Sequence, residues 1–98
     1  MDVELQYFEG CPNWRIAGER LARIAAEHPS LTVRHRIVVT PEEADAVGFR
    51  GSPTILIDGR DVFAEGDEPT GLACRIYQTP DGPAGSPTLA QLRDAVGI

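Results

Sequence analysis

Long apolar runs and an excess of basic charge are both missing from this 98-residue sequence. No apolar stretch approaches the roughly 20 residues that a membrane-spanning helix requires. The N-terminal segment MDVELQYFEG lacks the basic and then apolar organisation of a secretory signal, so we expect a cytoplasmic protein. The formal net charge is −6, which repels nucleic-acid backbones and anionic membrane surfaces at long range. We therefore expect neither nucleic acid nor membrane as a partner.

Cysteine is also scarce, because the sequence contains only Cys11 and Cys74. Two cysteines are too few for a disulfide scaffold, and in a reducing compartment they are either reactive or simply buried. Apolar residues make up 42% of the chain and charged residues 24%, as in ordinary globular domains. No repeat or linker divides the chain, so we predict a single domain over residues 1–98.

Hydrophobic periodicity and turn signals predict the element order β-α-β-α-β-β-α. The strands are expected at residues 2–8, 31–39, 54–57 and 60–64, and the helices at residues 12–27, 41–47 and 87–96. Thr40 and Ser86 are expected to cap the second and third helices. Asp58-Gly59 is a hairpin signal that makes the last two strands an antiparallel pair. The predicted fold class is α/β with a central mixed four-stranded sheet.

The second strand is expected to present one apolar face that His35 interrupts. Its members are Leu31, Val33, Ile37 and Val39. In the first helix, Leu21 and Ile24 recur at helical spacing with Ile16 or Ala17 and are expected to face the core.

Residues 65–86 are not assigned to the minimal element order. They begin with the acidic EGDEP, continue as GLACRIYQ and end in a turn-rich stretch. Cys74 and Ile76 alternate there with Arg75 and Tyr77, which is compatible with a short additional strand. The segment is therefore interpreted as an extra loop or an edge strand.

Cys11 opens a Cys-Pro-Asn-Trp sequence between the first strand and the first helix. A thiol at a helix N-terminus meets unsatisfied N–H groups and the positive end of the dipole, which lower its pKa. Pro12 suits the first helical position, and Trp14 in the first turn is placed to shield the sulfur on one side. The alternative is that Cys11 is only a small N-cap residue in a domain without redox function.

The element order, with Cys11-Pro12 after the first strand and Gly-Ser-Pro-Thr before the third, resembles the thioredoxin-like superfamily. The resemblance implies that Cys11 is the nucleophilic cysteine and that Pro53 is a cis-proline beside it. The family usually carries Cys-x-x-Cys, but Trp14 replaces the second cysteine, so dithiol chemistry within the motif is excluded. The substrate-contacting residues that the resemblance implies are Pro12, Trp14, Ser52, Pro53 and Thr54.

The position of Cys74 follows partly from the predicted topology. The fourth strand ends at the same end of the sheet as Cys11, so the segment after it begins near that cysteine. Cys74 can then come within the Cα separation of about 4.4–6.8 Å that a disulfide needs. A pairing with Cys11 and a buried structural cysteine both remain open.

The leading functional hypothesis is a thiol–disulfide oxidoreductase. Cys11 would attack a disulfide, and Cys74 or an external thiol would resolve the intermediate. The expected partners are protein or small-molecule thiols and disulfides, and no cofactor is predicted. One alternative is a non-catalytic binding module, and another is coordination of a thiophilic metal such as copper or mercury by Cys11 and Cys74. No cysteine–histidine spacing resembles a structural zinc site.

Overall fold

The computed structural model describes residues 1–64 and 69–97 as a mixed α/β structure. Its strands are β1 (Asp2–Tyr7), β2 (Thr32–Ile37), β3 (Thr54–Ile57), β4 (Arg60–Asp61), β5 (Tyr77–Thr79) and β6 (Gly82–Ala84). Its helices are α1 (Trp14–Glu27), α2 (Pro41–Val47) and α3 (Leu89–Ala95). Among the described residues, no helix is both long and apolar enough to cross a membrane.

The first four strands form one sheet in the order β2-β1-β3-β4. β1 pairs in parallel with β2 and antiparallel with β3, in a register that places Leu5 opposite both His35 and Ile55. The β3–β4 hairpin turns at Asp58 and Gly59, which have φ values of 50° and 83°, as a type I′ turn requires. The predicted mixed four-stranded sheet is confirmed.

The main hydrophobic core lies between this sheet and the helices α1 and α3. Its buried members are Val3, Leu5, Ala17, Leu21, Ile24, Leu31, Ile55, Ile57, Leu92 and Val96. Each large aliphatic side chain in this cluster contributes about 1.5–3 kcal/mol relative to its exposed state. Arg93 of α3 forms an ion pair with Glu27 of α1 at 2.7 Å, which adds a polar contact between the two helices.

A second, smaller cluster surrounds Phe49, which is fully buried with Val38 and Ala44. Phe8 and Leu72 pack against it from two separate parts of the chain. α2 contributes Ala44 to this cluster; the helix begins at the predicted Thr40 cap and ends at Gly48, which has a φ of 70°. The predicted bounds and cap of α2 are confirmed.

The predicted apolar face of β2 is wrong in its second half. Leu31 is buried, but Ile37 and Val39 are 39% and 64% exposed, whereas Val38 is completely buried. β2 ends at Ile37, and the Val38 N–H donates to the Tyr7 carbonyl at 2.7 Å. Val38 rather than Val39 therefore enters the second cluster.

The starts of α1 and α3 differ from the sequence prediction by about two residues. α1 begins at Trp14 with Asn13 as its N-cap, so Cys11 is not the cap and Pro12 is not the first helical residue. α3 is capped by Thr88 and not by Ser86, because Thr88 and Gln91 form a reciprocal capping box. That box satisfies two helix N-terminal donors at once, whereas Ser86 donates to the Pro87 carbonyl.

The chain between β4 and α3 contains a hairpin that the sequence prediction did not include. β5 and β6 pair with each other and form a separate two-stranded sheet. The predicted fourth strand is shorter than expected, because it ends at Asp61 and residues 62–63 turn away. The acidic residues 65–68 lie outside the described residues.

Candidate functional site

Cys11 lies in the turn between β1 and α1 and is completely buried. Its N–H donates to the Phe8 carbonyl at 3.3 Å, which closes the turn directly after β1. Its Sγ atom is 3.6 Å from the carbonyl oxygen of Ser52. The turn thus brings the sulfur from the end of β1 to the residue before Pro53.

The Ser52–Pro53 peptide bond is cis, as the resemblance implied. Ser52, Pro53 and Thr54 are buried, and the Thr54 hydroxyl donates to the Gly51 carbonyl at 2.6 Å. The Ser52 hydroxyl oxygen is also buried and has no hydrogen-bond partner among the described residues. The polar contacts of Ser52 are therefore made by its backbone.

Residues 70–77, which we name the strap, run past this turn. The Ser52 N–H donates to the Ala73 carbonyl at 2.7 Å, and the Arg75 N–H donates to the Ser52 carbonyl at 2.9 Å. These two bonds form a single parallel bridge between Ser52 and Cys74. The predicted additional strand is therefore reduced to this bridge, while Tyr77 already belongs to the β5–β6 hairpin.

A disulfide bond joins Cys11 to Cys74, with a Cα–Cα distance of 5.8 Å. The two residues are 63 positions apart in the chain. The alternative of a separate buried structural cysteine is wrong, because Cys74 is exposed and bonded to Cys11. The bond covalently links the turn before α1 to the strap.

The strap is also held by side chains that follow Cys74. Arg75 is only 6% exposed, and its guanidinium donates to both carboxylate oxygens of Asp61 at 2.7 and 3.2 Å. It also lies over the Tyr77 ring at 4.7 Å, and the Tyr77 hydroxyl donates to the Pro53 carbonyl. A planar guanidinium suits this bidentate and stacked position. None of these contacts of Arg75 and Tyr77 involves the disulfide, so we expect them to hold the strap in place after the disulfide is reduced.

Gly51 permits the close approach of the strap. Its φ is 109°, a value that favours glycine. A Cβ atom there would lie 3.0 Å from the Arg75 Cβ and 3.1 Å from the Ala73 carbonyl oxygen. The first residue of the Gly-Ser-Pro-Thr motif is thus required by packing against the strap.

Trp14 is half-buried, and its ring contacts residues of β1 and β2. Its ring stacks on Tyr7 with a centroid separation of 4.1 Å and meets His35 edge-on at 6.5 Å. Arg15 lies 5.5 Å above the indole. These contacts give Trp14 a packing role, and its predicted shielding of the sulfur and contact with a substrate stay predictions. Pro12 is exposed in the turn.

The cavity beside the site and the candidate metal ligands near it bear on what the site can bind. A cavity of about 440 Å³ lies between the strap and residues Arg50, Gly51 and Phe63, and Cys74 lines it. In the described part of the chain, no three His, Cys, Asp or Glu side chains are grouped as metal ligands. Cys11 and Cys74, if reduced, would offer two thiolates for a thiophilic metal without a third ligand from that part.

The structure brings together four residues that were identified from the sequence. These residues are Cys11, Ser52, Pro53 and Cys74. Arg75 and Asp61 were missed, since nothing in a one-dimensional pattern pairs a loop arginine with a strand-end aspartate.

Comparison of the chain with protein-family models, with curated proteins and with solved structures finds no match in any of the three.

Proposed function

We propose that this protein is a thiol–disulfide oxidoreductase of thioredoxin-like architecture, in which Cys11 and Cys74 alternate between a disulfide and two thiols. The observation that carries the proposal is the Cys11–Cys74 bond, whose Cys11 sulfur lies 3.6 Å from the Ser52 carbonyl oxygen. One bonded residue is exposed, and exposed disulfides are more often labile or catalytic than deeply buried ones.

The thioredoxin-like part of the proposal is supported by the order β2-β1-β3-β4 and by the position of α1 directly after β1. The chain departs from the family pattern because its second cysteine is supplied by the strap and not by the turn. The partner of Cys11 is therefore 63 residues distant in sequence but attached to the same turn.

The reaction is a two-electron exchange. A thiolate of an external thiol attacks one sulfur of the Cys11–Cys74 disulfide, which forms a mixed disulfide and releases the other cysteine as a thiolate. A second external thiolate then attacks the mixed disulfide, and the products are two protein thiols and one external disulfide. The external thiols are oxidised and the protein is reduced, and the reverse sequence reduces an external disulfide.

A permanent structural disulfide in a non-catalytic module is the second candidate. The complete burial of Cys11 favours it, because an inaccessible sulfur cannot be attacked directly. The two candidates differ in whether the disulfide opens while the protein is folded.

The experiment that tests the proposal equilibrates the folded protein with mixtures of reduced and oxidised glutathione. The free thiols are then trapped by alkylation and counted by mass spectrometry. We expect a reversible transition that is the same from both directions, together with catalysed reduction of a peptide disulfide that Cys11→Ser and Cys74→Ser both abolish. A disulfide that opens only under unfolding conditions would reject the proposal in favour of the structural disulfide.

A further inference from the structure

The two bonded cysteines differ sharply in their exposure to solvent. Cys11 is 0% exposed, whereas Cys74 is an exposed residue of the strap. The Cys11 sulfur lies 3.6 Å from the Ser52 carbonyl oxygen, and the Cys11 N–H donates to the Phe8 carbonyl in the turn that carries it. Because Cys11 exposes no surface to solvent, an external thiolate does not reach its sulfur in the folded, oxidised protein.

Thiol–disulfide exchange requires the attacking sulfur to approach its target in line with the bond that breaks. Attack on Cys11 would need the nucleophile to arrive through buried protein. Attack on Cys74 needs only access from the side of the strap, where Ala73 and Ile76 are also exposed. Ile76 itself is 62% exposed, so the outer side of the strap is not covered by the described residues.

On the basis of the proposed function, we infer that Cys74 is the sulfur that external thiols attack and on which the mixed disulfide forms. Cys11 is the leaving group in that step and the resolving nucleophile in the reverse step. This assignment reverses the roles that the sequence motif implied for the two residues.

Burial does not prevent Cys11 from acting in either step. The Cys11 sulfur never needs to reach solvent, because its only target is the Cys74 sulfur to which it is bonded.

The steps balance without a further reactant. The external thiolate forms a new S–S bond with Cys74, the Cys11–Cys74 bond breaks, and its electron pair stays on Cys11. A second external thiolate attacks the external sulfur of the mixed disulfide and releases Cys74, which gains a proton from water. Two external thiols have then been converted into one disulfide.

The deciding experiment exposes the oxidised wild-type protein briefly to 2-mercaptoethanol, an uncharged thiol that the acidic protein does not repel. The mixture is quenched with acid, unfolded and alkylated, and the adduct is located by peptide mass spectrometry. We expect the mercaptoethanol group on Cys74 and the alkyl group on Cys11, with at least about a tenfold excess over the reverse pattern. A majority of adduct on Cys11, or an even distribution, would overturn the assignment.

Two single-cysteine variants provide the second readout. We expect the Cys74 thiol of Cys11→Ser to react with an uncharged aromatic disulfide at least about tenfold faster than the Cys11 thiol of Cys74→Ser. Equal rates after unfolding serve as the control for intrinsic reactivity. If the wild-type disulfide opens only when the protein unfolds, the proposed function fails as well; reversible exchange through Cys11 would reject only the assignment made here.

Discussion

Arg75 and Asp61 form a bidentate ion pair at the inner side of the strap, with Arg75 Nη1 2.7 Å from Asp61 Oδ2. Their side chains are only 5% and 11% exposed. Because Arg75 follows Cys74 directly, this pair holds the backbone that carries the second sulfur. The strap therefore has a charge-assisted anchor that does not depend on the disulfide.

Asp61→Asn should destabilise the reduced protein by about 2 kcal/mol, because it removes the charge from the acceptor of two hydrogen bonds that the nearly buried Arg75 donates. Urea unfolding of the reduced protein measures this loss. Asp94→Asn is the matched control, since it removes the same charge from an exposed position on α3 and should remain close to wild type. Equal losses in both variants would contradict a specific role for the Asp61–Arg75 pair.

Gly51→Ala should make the Cys11–Cys74 disulfide easier to reduce. The new methyl group would press on Arg75 and Ala73 and weaken the two backbone bonds to Ser52. Each such bond contributes about 1 kcal/mol, so we expect a shift of about tenfold in the equilibrium with glutathione.

Gly59→Ala separates this effect from backbone strain. Gly59 also has a positive φ, of 83°, but no described atom lies within 4 Å of the position that an alanine Cβ would take there. The substitution should therefore lower the stability by about 1–2 kcal/mol without a comparable shift in the redox equilibrium. A redox shift as large as that of Gly51→Ala would show that general destabilisation is the cause.

Reduction of the disulfide should lower the free energy of unfolding by about 4 kcal/mol, because the bond joins residues 63 positions apart and closes a long loop in the unfolded chain. Denaturant unfolding of the oxidised and reduced wild-type protein measures the difference. Cys74→Ser should resemble the reduced protein under both conditions. Similar stability of the oxidised and reduced forms would contradict this expectation.

The Asp2–Arg34 pair should give the protein a small acid sensitivity. The hydrogen bonds from Arg34, at 2.7 and 3.0 Å, lower the pKa of Asp2 below its ordinary value. Ionised Asp2 therefore stabilises the fold above the unfolded-state pKa, and this contribution is lost as the pH falls through the lowered folded-state pKa.

Thermal unfolding across the acidic range measures this effect. Asp2→Asn should flatten that part of the stability curve, and added salt should shrink the difference because the pair is exposed. Arg34→Gln is the control and should produce the same flattening. An unchanged pH dependence in both variants would exclude the Asp2–Arg34 contact as its source.

Local patterns predicted most of the regular structure. β1, β3, α2 and the Asp58-Gly59 turn follow from short-range alternation, capping and turn chemistry, which need no tertiary information. The end of β2 was predicted less well, because the burial of Val38 depends on Phe49 and its cluster. The cap of α3 was misplaced because Ser86 and Thr88 are both good cap residues, although the spacing of Thr88 and Gln91 is a capping-box pattern within the sequence.

The sequence by itself determined the α/β order, the placement of Cys11 after the first strand and the pairing of β3 with β4, since each depends on neighbouring residues. Tertiary structure decided how the strap is placed. Its position depends on the Ser52 backbone, on the Asp61–Arg75 pair and on the space left by Gly51, which are contacts between residues distant in the chain. Those contacts bring Cys74 to Cys11 and leave one of them exposed and the other buried, because burial is a property of the packed molecule and not of a local pattern.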